Sequence, residues 1–466
     1  MLPAEVLTSS SVRLGLRLGL FQLSFGILGV LILGLFNRLL IEDLRVPAAL
    51  AALAIGAEQL MGFTRAWFGF RSDLCPVGRL RRTPFILLGS LSCSVLFGSA
   101  GWVVLQLARA MDSPQQSASV GWLGLLVLIS IGIGTAIAAA GTAFSALVAD
   151  LSSEQERPRV LSVVWGMRLV GVLLGTVLVN QTFGPACDAG ASREAVMEGL
   201  QRLIVVTPPI LFVLGLASVL GLEHPVKADD RGRKPSVDQP KRLALPQLLG
   251  RLRTIPQAGR FMTLLCLLTF SMFFNDAVLE PYGAAVFGMS VCATTSLNAL
   301  IALGFLVGLG LSGFQLIERI GTIRTARGGA LLAAAALSLM LLAAPGQTLG
   351  LLRIAITLFG VSLGICINAC LTLMFSFVEP GRTGFLLGVW GVGFAYSCGL
   401  ATISGGGVLS LLQMFSGGNI EAAYSGVFLL QILCFLAAAL MTRRLNVAGF
   451  RSTVQSRFAS MVKALD

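Results

Sequence analysis

A single histidine and three tyrosines among 466 residues leave little material for a histidine-built metal site or a catalytic triad. Charge is also scarce. Only 12% of the residues are charged, against about a quarter in soluble domains, which is too few to cover a water-facing surface. A soluble enzyme is thereby excluded and, with 55% hydrophobic residues, so is a disordered chain. The nine cysteines (75, 93, 187, 266, 292, 366, 370, 398 and 434) fall mostly inside apolar runs, with no C-x-x-C pair or metal-ligand spacing. A disulfide-stapled secreted module does not fit, and Cys366 and Cys370, at i and i+4, read as small packing residues. What the chain does have is apolar length, with 54 Gly and a mean hydropathy of +0.86. At roughly 20 apolar residues per crossing, there is room for about a dozen helices. The composition is that of a polytopic all-α membrane protein.

Apolar runs give twelve candidate spans. In the first half they are 14–36, 47–68, 84–107, 120–148, 160–181 and 201–222. In the second they are 261–280, 292–314, 326–344, 350–376, 385–404 and 423–441. The weakly basic start runs directly into the first of them and reads as a span rather than a removed peptide. The longest connection, 223–260, carries Pro225, Asp229, Asp230, Arg231, Arg233, Lys234, Pro240, Lys241 and Arg242. The expected organisation is a six-helix half over 1–222, a linker over 223–260, a second six-helix half over 261–445 and a tail over 446–466.

The formal charge is +12, from 34 Lys+Arg and 22 Asp+Glu. With the N-terminus inside, 27 of the 34 basic residues fall on the cytoplasmic side and six on the other. The remaining one, Arg168, is within a span. This asymmetry follows the positive-inside rule, so both termini are expected in the cytoplasm, and the excess charge reports topology rather than a nucleic-acid partner. Gly171/Gly175, Gly304/Gly308, Gly360/Gly364 and Gly384/Gly388 form G-x-x-x-G pairs, which read as strips for close helix packing.

The connection after the second span runs Gly69-Phe-Arg-Ser-Asp73-Leu-Cys-Pro-Val-Gly78-Arg79-Leu-Arg81-Arg82-Thr-Pro84. It resembles the G-x-x-x-D…G-R-x-[RK] signature between helices two and three of the major facilitator superfamily, with four residues rather than two between Asp73 and Gly78. Asp73 can meet helix-end dipoles and arginines, so Gly69, Asp73, Gly78, Arg79 and Arg82 are candidates for a conformational latch. A solvated basic loop is the plainer alternative. Gly313…Glu318-Arg319-Ile320-Gly321 is a degenerate echo in the second half, consistent with duplicated six-helix halves.

Ionisable groups inside spans are costly and by default functional. Glu58 lies mid-span in helix two and Arg168 within helix five, and the two can pair across the first half. Asp276 and Glu280, four apart near the outer end of helix seven, are expected on one face, with Pro281 ending the helix. They fit either a proton or cation site or a structural anchor.

The segment Phe274-Asn275-Asp276-Ala-Val-Leu279-Glu280-Pro281-Tyr282-Gly283…Phe287-Gly288-Met289 resembles the D-x-x-L-E-P-Y-G…F-G-M hallmark of the PucC/LhaA family, the bacteriochlorophyll delivery branch of the major facilitators. Two other stretches are similar to that family. Asn37-Arg38…Glu42-Asp-Leu44-Arg-Val-Pro47 matches its outer loop, and Arg81-Arg82-Thr83-Pro84-Phe85-Ile86 matches its approach to helix three. Ala146–Asp150 followed by Glu154, Glu156 and Arg157 is also in the family's style.

The resemblance implies a twelve-helix major-facilitator-like fold in a thylakoid or photosynthetic inner membrane. It also implies a non-enzymatic role, delivering or shielding chlorophyll or bacteriochlorophyll while light-harvesting complexes are assembled. Antenna or photosystem polypeptides and the lipid bilayer would be the partners, and a bound chlorophyll-type pigment the one candidate cofactor. Candidate pigment or substrate contacts are Glu58, Arg168, Asp276, Glu280 and Tyr282; Asn37, Arg38 and Glu42 mark the outer loop. His224 beside Pro225 reads as interfacial. A tetrapyrrole magnesium would therefore need Glu, Asn, Gln, a backbone carbonyl or water. The sequence has no nucleotide loop and no aspartate-rich prenyltransferase pair to support catalysis. A proton-coupled secondary transporter of a small solute is the alternative, and a permanent structural subunit of a photosystem a third reading.

Overall fold

The structure is a computed structural model that describes residues 4–36, 39–40, 44, 46, 48–74, 79–111, 117–183, 193–223, 250, 252, 255–276, 278–289, 291–378, 382–416, 419–447 and 449. All its regular elements there are helices. In chain order they are α1 (Ala4–Gly29), α2 (Ala48–Leu60), α3 (Thr64–Leu74), α4 (Thr83–Met111), α5 (Ser117–Leu151), α6 (Arg157–Phe183) and α7 (Arg193–Val219). They continue as α8 (Pro256–Phe273), α9 (Leu279–Phe287), α10 (Val291–Leu311), α11 (Ile317–Ile320), α12 (Thr322–Ala343), α13 (Leu349–Ser376), α14 (Thr383–Phe415) and α15 (Ile420–Met441). Among the described residues ten helical segments are long and apolar enough to cross a membrane, and Gln257–Phe273 is a shorter apolar helix. The protein is integral to a membrane. Side chains such as Ile403 (75% exposed) and Phe415 (84% exposed) point outward from α14, as lipid-facing residues do.

Two of the expected spans are interrupted. The second is split at Met61–Phe63 by a 3₁₀ turn, where the Thr64 hydroxyl donates to the Met61 carbonyl at 2.7 Å. The seventh ends at Phe273, in a turn closed by Val278 and Leu279 N–H groups donating to the Asn275 carbonyl, each at 3.0 Å. This corrects the reading of 261–280 as one helix ended by Pro281. Proline is tolerated in a first helical turn, where an N–H has no intrahelical partner, and Pro281 stands near the start of α9. Asp276 is thus in the turn and Glu280 on the next helix, not two positions on one face. The π-helical segments Val30–Phe36 and Ser312–Leu316 extend α1 and α10.

The chain divides into two compact units. One comprises Met1–Ser152, Val163–Gly232 and Thr383–Val389; the other comprises Ser153–Ser162, Arg233–Arg382 and Trp390–Asp466. The first two turns of α14 thus belong with the first unit, and the start of α6 with the second. In the first unit Phe21 stacks on Phe144 at 4.2 Å and Phe36 on Phe97 at 5.3 Å. In the second, Phe261 stacks on Phe377 at 4.2 Å, and the Trp390 indole N–H donates to the Phe377 carbonyl at 2.9 Å.

Where helices touch, glycine sets the distance. Gly304 and Gly308 of α10 face Gly360 and Gly364 of α13, so that each backbone lies in the groove of the other. Buried polar side chains bridge the remaining gaps: Asn368 donates to the Ser312 hydroxyl at 3.0 Å, and Gln431 to the Ser271 carbonyl at 2.8 Å.

Candidate functional site

Asp73 ends α3 pointing at the start of α14. Its two carboxylate oxygens accept from the backbone N–H groups of Gly384 (3.0 Å) and Phe385 (2.8 Å). These are N–H groups that a helix start leaves unpaired, and the negative charge matches the positive end of the helix dipole. Arg82 completes the pair at 2.6 Å from Asp73; the two side chains are 7% and 4% exposed. Arg82 also donates to the Ser72 hydroxyl at 2.7 Å and to Asp150 at 3.2 Å. The approach is possible because Gly69 and Gly384 lack side chains: a Cβ on Gly69 would sit 2.0 Å from the Gly384 carbonyl oxygen.

A second carboxylate fixes the other side of this junction. Glu223 accepts from the N–H groups of Arg81 (2.6 Å), Arg82 (2.9 Å) and Thr83 (2.7 Å), capping α4 from far along the chain. The structure therefore brings Gly69, Asp73 and Arg82 of the expected latch together. Gly78 lies outside the described residues, and Arg79 is exposed. Sequence reasoning missed Glu223 and Ser72, and took Asp150 as a loop residue. In the second unit the echo motif is held by an ion pair between Arg159 and Glu318, and Gly313 lies against Ser162.

The intramembrane charges of the first unit form a cluster. Gly26 of α1 and Gly171 of α6 bring those backbones into contact: a Cβ on Gly26 would stand 2.1 Å from the Arg168 carbonyl oxygen. Arg168 accordingly reaches α1, donating to Gln22 Oε1 at 3.2 Å, and lies 5.6 Å above the Trp165 ring. Glu58 is electrostatically coupled to both Arg168 and Arg65. Arg65, placed by the sequence among the loop arginines, instead extends from α3 towards α5, with Nη1 3.8 Å from the position a Gly141 Cβ would take. Its Nε is buried without a hydrogen-bond partner among the described residues. All four side chains (Gln22, Glu58, Arg65 and Arg168) are half-buried rather than sealed.

The second-unit candidates are arranged differently. Tyr282 is 1% exposed, packs against Tyr424 and Phe428, and donates its hydroxyl to the Met340 carbonyl at 3.0 Å. It is a core residue. Asp276 is exposed in its turn, and the Glu280 side chain lies outside the described residues, as do Asn37, Arg38, Glu42 and His224. Tyr282→Phe keeps the ring and removes one buried hydrogen bond to the Met340 carbonyl. It is expected to cost about 1 kcal/mol, seen as a slightly lower melting temperature with unchanged function; lost function at unchanged stability would give the hydroxyl a ligand-binding role.

Solved structures of similar fold include transporters. The E. coli fucose:proton symporter matches with a TM-score of 0.65 at 16% identity, covering 93% of this chain and 97% of that one. A bacterial homologue of the iron transporter ferroportin matches at 0.63 and 17%, covering 92% and 98%. At such identity the likeness is one of fold, the fold that a major facilitator superfamily transporter also has. The PUCC protein family matches residues 35–450, and the chain belongs to that family. Relatives from Rhodobacter capsulatus include Protein PucC, 28% identical over 94% of this chain and 93% of its own length. Another is the bacteriochlorophyll synthase 44.5 kDa chain, 28% identical over 91% and 93%.

Proposed function

We propose that this protein is a non-enzymatic assembly factor or carrier of a photosynthetic inner membrane or thylakoid. It delivers or shields chlorophyll or bacteriochlorophyll while light-harvesting complexes are built, with antenna or photosystem polypeptides as partners. The observation that carries this reading is the family match over residues 35–450, supported by relatives named PucC across nearly their full lengths. One relative's name mentions a synthase; a carrier that hands pigment between proteins needs a membrane groove and a conformational latch rather than a catalytic group. The family hallmark around Asp276 and Glu280 falls where α8 breaks and α9 begins, and irregular backbone at membrane depth is tolerated where it is enclosed by protein or lines a cavity.

Removal of the protein from a phototroph is expected to lower antenna absorbance severalfold while the genes for antenna polypeptides stay transcribed. The protein purified in mild detergent should carry chlorophyll-type absorption and co-elute with antenna polypeptides. A second reading, a proton-coupled transporter of a small solute, draws on the fold it shares with a fucose:proton symporter. Neither pigment nor antenna in the purified sample, together with proton-driven solute uptake into liposomes, would establish that alternative.

A further inference from the structure

We propose that the groove between α4 and α5 seats one anionic phospholipid, with an acyl chain along the groove and the phosphate at Arg109. The groove has a volume of about 440 Å³, within the ~300–1,000 Å³ typical of ligand pockets. Its floor is low because Gly98 and Ser99 of α4 are consecutive small residues, and Val95, Trp102, Leu125 and Ile129 form its walls. The Ser99 hydroxyl donates to the Val95 carbonyl of its own helix at 3.0 Å, which leaves a lining suited to hydrocarbon. Val95, Trp102 and Leu125 are exposed, so the groove opens on the surface that meets lipid.

The chemistry changes towards the end of α4 that lies away from the Asp73–Arg82 junction. There Trp122 meets Trp102 edge-on at 5.6 Å. An indole N–H is a donor only, and tryptophan settles at the boundary of hydrocarbon and headgroups, the depth of a phospholipid's ester carbonyls. Residues 95, 102 and 109, spaced by seven, share one face of the helix. Arg109 is exposed in the last turn, roughly 10 Å beyond Trp102 along the axis and just past the apolar run 84–107. A slot for hydrocarbon, a pair of donors and then a cation follow the order of chain, ester and phosphate. A neutral lipid or pigment ester brings no net charge to Arg109; an anionic headgroup does. The seat holds whether the cargo of the protein is a pigment or a small solute.

The test places the full chain in phosphatidylcholine nanodiscs with a trace of phosphatidylglycerol or phosphatidylcholine carrying a photoactivatable diazirine in the acyl chain. Labelled peptides are then mapped by mass spectrometry. Label on 95–102 and 125–129 is expected to be about fivefold greater from the phosphatidylglycerol, the scale of one basic residue against an anionic headgroup. Arg109→Gln should bring the two lipids level. The connection that follows carries one acid, Asp112, and Asp112→Asn should widen the difference, a shift that misfolding cannot imitate. Ser99→Phe fills the groove and should remove label from both lipids, whereas Leu173→Phe, on the exposed face of α6, should not. Equal label from the two lipids in the wild type, or label that ignores Arg109→Gln and Ser99→Phe, would overturn the seat. Loss of the label to added chlorophyll a, and not to added unlabelled phosphatidylglycerol, would also overturn it and give the groove to the pigment.

Discussion

Asp73→Asn is expected to cost about 3 kcal/mol, the lower end of what breaking a buried ion pair costs when one partner is left charged. Among the described residues Arg82, 7% exposed, would keep the neutral Ser72 hydroxyl and, as its acidic partner, Asp150, whose side chain is 46% exposed and 3.2 Å away. The amide retains one acceptor oxygen but presents an NH₂ group where Gly384 or Phe385 now donates, so the start of α14 loses a cap as well as a favourable charge. The measurement is thermal unfolding of the purified protein, where a drop of several degrees is expected. Arg79→Gln, at an exposed position of the same segment, should change it little. The double variant Asp73→Asn/Arg82→Gln should be less destabilised than the sum of the single changes, because the uncompensated arginine is gone. Antenna accumulation should fall with Asp73→Asn and not with Arg79→Gln. Equal melting of Asp73→Asn and the wild type would show that the junction is solvated and that Asp73 holds nothing.

The spans were legible because apolar length is encoded locally: 350–376 stands against α13 at Leu349–Ser376, and 84–107 against α4 at Thr83–Met111. The interruptions were not, because the signal for them is positional. Pro281 reads as a terminator in the middle of a run and as an initiator once Asn275 caps a turn before it. Arg65 sat near the end of an apolar run and so was assigned to the basic loop; only the packing of α3 on α5 sets it opposite Gly141. Glu223 was beyond reach for a related reason. It serves N–H groups about 140 residues earlier, and nothing near Glu223 announces that partnership. Asp73 and Arg82 were found because their motif is short and continuous, whereas Gly384 and Phe385, which complete the junction, come from the far end of the chain. Charges within one segment are read from spacing, and charges that meet across the fold are read only from the fold.

Gly308→Ala is the other change with a large expected effect, although it adds a single methyl group. On α10 that carbon would stand 2.1 Å from the Val361 carbonyl oxygen and 3.1 Å from the Gly364 Cα. These are backbone atoms of α13, which cannot swing aside as a side chain end would, so the two helices must separate. Separation also undoes the reciprocal fits: Gly304 against the Thr357 carbonyl, Gly360 against Ile301 and Gly364 against Phe305. Helix association in a membrane has no hydrophobic drive between helices and relies on this close packing, so the cost should reach or exceed the ~1–3 kcal/mol of ordinary overpacking. Gly310→Ala provides the contrast. It lies on the same helix two residues away, yet its added carbon would meet nothing within 4 Å, and alanine is the better helix former by up to ~1 kcal/mol. The expected result is a sharp loss of monodisperse protein and of melting temperature for Gly308→Ala, with Gly310→Ala matching or slightly exceeding the wild type. Two variants of equal stability would mean that α10 and α13 are held apart by lipid or side chains rather than seated backbone to backbone.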